Sequence, residues 1–99
     1  MRRMGLKILH LHVKKKYFDQ IKSGKKKIEY RRATPYWKKR LVIGTEYDLI
    51  MVYCGYPRKG DSSKTLLYRY QGYYHESNFV HEEFGEKPVN VFCIRLQEK

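Results

Sequence analysis

Ninety-nine residues, 41% of them hydrophobic, suffice for one modest core and a single domain over 1–99, and exclude a chain left unfolded for want of apolar surface. No apolar run approaches the ~20 residues that cross a bilayer, and His10 and His12 interrupt the short one after Met1-Arg2-Arg3. A cytoplasmic protein without a membrane partner is therefore expected.

The formal net charge of +12 is unevenly placed. Residues 1–40 carry fifteen Lys or Arg against Asp19 and Glu29, whereas residues 41–99 carry seven against eight acids. Cations gathered in this way form the electrostatic footprint of a polyanion partner. The competing readings are a merely solvated basic surface and a dock for an acidic protein.

Residues 6–13, LKILHLHV, alternate as a strand does, with Leu9, Leu11 and Val13 on one face and Ile8, His10 and His12 on the other. In KKKYFDQIKSG, Tyr17, Phe18 and Ile21 recur at helical spacing, and Gly24 ends the helix by adopting the left-handed conformation. Lys14, Lys15 and Lys16 stand at its N-terminus, where the helix dipole disfavours cations by roughly 0.3–1 kcal/mol each. They are either fully solvated or placed to meet an anion.

Residues 26–33 read as a strand with Ile28 and Tyr30 on the apolar face and Lys27, Glu29 and Arg31 on the other. Thr34-Pro35 starts a second short helix, with Thr34 as cap, carrying Tyr36, Trp37, Lys38, Lys39 and Arg40. Three further strands are expected at 47–56, 65–74 and 89–96, with a loop at 57–64 and an irregular stretch at 77–88. Cys54 and Cys93 sit in apolar runs and read as reduced core thiols, a disulfide being the alternative. The sum is a small α+β domain on a curled or closed sheet of about five strands with one or two short helices.

Gly24, Lys26, Glu29 and Arg31 have the spacing G-x-K-x-x-E-x-R, which resembles the signature of ASCH domains in the PUA-like superfamily. The flanks agree: a first strand, the helix YFDQIKSG, and YDLIMVYCGY after the PYW segment. The resemblance implies a β-barrel of five or six strands with a cleft beside the motif that holds RNA or a nucleotide-like ligand. Some members look like ribonucleases or like amidohydrolases of N4-acylated cytidine. In the latter, the threonine nucleophile falls where this chain has Glu29, which puts that chemistry in doubt. Were the chain an enzyme, Lys26 and Glu29 would be its catalytic candidates, acting as a hydrolase on RNA or a nucleoside.

Within that cleft, opposite charges nearby keep a carboxylate ionised, and an ionised carboxylate only accepts hydrogen bonds. Glu29 thus suits the donor edge of a base, while Lys26, Arg31 and Arg32 suit phosphate. Tyr36, Trp37 and Tyr56 are the aromatics placed to stack on an unstacked base. Their structural counterparts are a Glu29–Arg31 ion pair fixing the strand and a Trp37 packed in the core. His10 and His12 are conceivable acid–base partners on one strand face. HESNFVHE (75–82) lacks the HExxH spacing of a zinc site, and no cofactor motif is present, so neither metal nor cofactor is expected.

Overall fold

The computed structural model describes residues 5–43 and 46–96, so Met1-Arg2-Arg3 lie outside the described residues. The chain divides into two compact units, one made of residues 1–27, 47–70 and 96–99, the other of 28–46 and 71–95.

The first unit is built on a sheet of β1 (Ile8–Val13), β3 (Leu49–Cys54) and β4 (Thr65–Arg69), in the order β1-β3-β4. β1 and β3 are parallel, with Leu9 beside Ile50, Leu11 beside Val52 and His12 beside Tyr53. The alternation of LHLHV is realised: Leu9, Leu11 and Val13 are buried together with Ile50 and Val52. A parallel pair needs a crossover, and α1 (Lys15–Ser23) lies in it and packs on β3. α1 buries Tyr17, Phe18 and Ile21 at the expected spacing. It ends where expected, with Gly24 at φ 87° donating its backbone N–H to the Ile21 carbonyl. Of the three lysines at its start, Lys15 is held by Asp19 one turn on, at 2.8 Å, and both are exposed. That contact raises the Lys15 ammonium above its ordinary pKa, through the hydrogen bond to Asp19 and then its charge.

The second unit holds β2 (Ile28–Arg32), β5 (Tyr73–Phe79) and β6 (Val89–Arg95) in the antiparallel order β2-β6-β5. α2 (Pro35–Leu41) follows β2, and the Thr34 side chain caps it by accepting from the Trp37 backbone N–H. β6 is central, and Val91, Phe92, Cys93 and Ile94 are all buried, so both of its faces are covered.

Six strands and two helices satisfy the α+β expectation, but among the described residues the strands form two three-stranded sheets, not the closed barrel the resemblance implies. The expected strand 65–74 is in fact two. The chain breaks at Gln71-Gly72, where Gly72 has φ 86°, and β5 continues to Phe79 through residues expected to be irregular. β5 buries none of its side chains and carries an irregular register between Glu76 and Phe79. Backbone pairing to β6 holds it in place of an apolar face, so periodicity had nothing to report there. Cys54 and Cys93 are free thiols, the second fully buried.

Leu11 is wholly inaccessible, whereas Leu67 on edge strand β4 is 56% exposed. Leu11→Ala is therefore expected to lower unfolding free energy by roughly 2–5 kcal/mol in urea denaturation, and Leu67→Ala by no more than about 0.5 kcal/mol.

Candidate nucleic-acid interface

The motif segment leaves α1 through Gly24, and its next charged member is withdrawn from water. Lys26 is buried, and its ammonium lies 5.4 Å from the centroid of the Tyr17 ring. Its backbone N–H donates to the Gln20 carbonyl, tying the turn to the helix. Beside it opens a polar cavity of about 540 Å³ lined by Ile21, Lys22, the Ser23-Gly24 turn, Lys26, Lys27, Tyr68 and Leu96. Its described lining holds three lysines and no acid.

In the second unit, Glu29 is 1% exposed, which corrects the expected facing of β2. Ile28 and Tyr30 were expected inside; they are half-buried, and Glu29 is the inner residue. Glu29 pairs with Ile94 and Arg31 with Phe92, but Tyr30 likewise pairs with the buried Cys93, so pairing with covered β6 does not by itself set the inner face. A carboxylate so placed needs a charged partner. The Arg31 Nη2 supplies it at 2.9 Å, from a side chain that keeps 21% of its exposure. The Arg31 guanidinium carbon also lies 5.2 Å from the Trp37 ring centroid. One arginine is thus held by an anion and by an indole, contacts that stiffen it.

The other expected ligand contacts are distributed. Trp37 is half-buried, and Tyr36 is exposed, edge-on to Trp37 and covered by the Arg40 guanidinium at 3.5 Å. Arg32 is exposed and lies over Phe84. Tyr56 belongs to the first unit and lines a different cavity from Lys26. The structure therefore brings Glu29, Arg31 and Trp37 together, and it does not bring Tyr56 to Lys26.

His10 and His12 do share a face, but as members of a row of rings. His10 stacks on Tyr53 at 5.7 Å, Tyr53 on His12 at 4.6 Å and His12 on Tyr56 at 4.3 Å, all within 20° of parallel. This row escaped the sequence reading because it depends on the β1–β3 register. His75 packs edge-on to Phe92, and His81 Nδ1 accepts from the Glu83 backbone N–H. Among the described residues no three His, Cys, Asp or Glu side chains cluster to hold a metal. Burial, followed by the nearby Cys93 thiol, pushes the Tyr30 hydroxyl above its usual range.

If Arg31 balances a buried charge, Arg31→Ala should cost roughly 3 kcal/mol in chemical denaturation, as removing one partner of a buried pair does. Adding Glu29→Gln to that variant should recover at least half of the loss, since the stranded charge is then gone. A double variant no better than the single one would contradict the pairing.

No curated protein and no solved structure matches the chain. The family model of the ASCH domain matches residues 11–98, nearly its whole length. The motif and its match place the chain in the ASCH domain family.

Proposed function

We propose that the chain binds RNA or a nucleotide-like ligand through phosphate, and that the lysine cavity at Gly24–Lys27 is the principal phosphate site. The observation that carries this reading is the cavity itself. Lys22, Lys26 and Lys27 converge on it without an acid among its described lining, beside backbone of a glycine turn. Three lysines around one concavity make its potential positive, which favours an anion there. A phosphate oxygen accepts from each of them. The excess of cations in residues 1–40 adds the long-range attraction that brings a polyanion in, and the ASCH family is generally nucleic-acid-binding.

Arg31 enters this reading as a second phosphate donor, with Arg32 exposed next to it. The burial of Glu29 changes its part. With 1% exposure and one oxygen on Arg31, it is better suited to aim the guanidinium than to meet a base edge itself. Glu29 is accordingly a positioning residue, and base choice falls to stacking aromatics and not to a carboxylate.

Binding of fluorescein-labelled single-stranded RNA, followed by anisotropy across salt concentrations, tests this. Affinity should fall steeply with salt, and Lys26→Ala should reduce the log–log slope by about 0.7, the loss of one phosphate contact on a single strand. Glu29→Gln should weaken binding to A, C, G and U homopolymers alike. A change of base preference in that variant would restore Glu29 as a reader, and a salt-independent affinity would remove the phosphate site.

A further inference from the structure

The ring row on the first sheet ends in a second cavity, and we propose that this cavity takes one unstacked nucleobase together with its phosphate. The site is separate from the lysine cavity. It rests on the nucleic-acid reading only for the class of ligand.

The construction begins with LHLHV. Alternation puts His10 and His12 on the face opposite the buried leucines, and the parallel register sets His12 beside Tyr53. β3 then ends at Gly55, whose φ of 63° belongs to the left-handed region and whose N–H donates to the Val13 carbonyl. That turn brings Tyr56 back across His12, so the imidazole lies between two phenol rings at 4.6 and 4.3 Å, 16° and 15° from parallel. His12 cannot swivel freely in this sandwich. Its Nδ1 is 2.8 Å from the Gly55 carbonyl oxygen, and because a carbonyl only accepts, Nδ1 carries the proton. The row is therefore ordered before any ligand arrives, which lowers the entropy cost of stacking upon it.

The last ring of the row is open to solvent. Tyr56 is 86% exposed although His12 covers one of its faces. A stack of flat, nearly parallel rings that ends at an exposed ring is extended by another flat ring. The cavity at this end measures about 330 Å³, at the lower end of the range of small-molecule sites and of mononucleotide scale. Its walls are largely apolar, and Arg58 and Lys59 stand in its lining with Pro57. Flat apolar surface next to two cations selects a planar ligand with a negative charge attached, which describes a nucleotide. Asp61, the acid in this lining, is turned to Ser63: its Oδ1 accepts from the Ser63 backbone N–H at 3.2 Å and from Oγ at 2.5 Å. Those hydrogen bonds hold its carboxyl below the usual range and engage Oδ1 with the loop, so that two cations stand against one carboxylate in the lining.

The ligand is either a free nucleotide or one residue of a strand, and the probes separate the two. 2-Aminopurine fluoresces when unstacked and is quenched on an aromatic face, so its riboside 5′-monophosphate and a short single-stranded RNA containing it serve as ligands. With the unaltered chain, binding should be accompanied by quenching for at least one probe. Tyr56→Ala and Tyr56→Leu should remove the quenching and weaken that probe roughly 5–150-fold, the worth of one base–aromatic stack, while Tyr56→Phe retains both. The exposure of Tyr56 keeps these variants folded. The Arg58→Ala/Lys59→Ala double variant should weaken the monophosphate and leave the phosphate-free riboside unchanged.

Lys26→Ala should still quench at saturating protein. RNA that binds while neither probe is quenched, or quenching equal in Tyr56→Leu and Tyr56→Phe, overturns this site and leaves the lysine cavity standing. Monophosphate quenched through Tyr56 while RNA shows no salt-dependent binding does the reverse.

Discussion

Withdrawing a charge from water costs several kcal/mol unless a partner compensates, and among the described residues two charged side chains, Lys26 and Glu29, are buried. Both belong to the motif spacing G-x-K-x-x-E-x-R. Their burial dictates what surrounds them. Lys26 is set over the Tyr17 ring at a glycine turn and lines a concavity together with Lys22 and Lys27. Glu29 is set opposite Ile94 on β6 and is compensated by Arg31, which in turn lies on Trp37. The motif thus fixes cations by burying part of each arrangement. A surface lysine would give up rotamer freedom when it met phosphate; a cation already held gives up less.

The first sheet shows the same economy in its aromatics. Leu9, Leu11, Val13, Ile50 and Val52 fill the core side, and the opposite side carries His10, Tyr53 and His12, whose rings stack on one another. A positive-φ glycine at the strand end then carries Tyr56 onto that row. The two cavities differ in kind. One is polar and lined by lysines; the other is floored by rings with cations at its edge.

Much of this was legible in the sequence wherever side-chain pattern decides the outcome. Leu9, Leu11 and Val13 marked β1, Tyr17, Phe18 and Ile21 marked α1, Gly24 its end, and Thr34-Pro35 the start of α2, because each follows from local sterics and burial. The facing of β2 was not legible. An apolar residue normally points inward, and Ile28 and Tyr30 outweigh Glu29 on any hydropathy argument; that Arg31 would compensate a buried carboxylate is no part of a hydropathy pattern. β5 was illegible for a related reason, since its backbone does the pairing and its side chains are exposed. Of the candidate site, the motif residues were visible as a group through the resemblance. The ring row was visible only as two histidines and scattered tyrosines until the parallel register joined them.

The most direct test of the account is a two-dimensional amide correlation spectrum of the chain, titrated with a short single-stranded RNA at low salt. The account predicts that the largest shifts fall on Gly24, Lys26 and Lys27, and that these shifts shrink as salt is raised. Shifts confined to residues remote from that turn, such as the exposed side of β5, with Gly24–Lys27 unmoved at saturation, would contradict it.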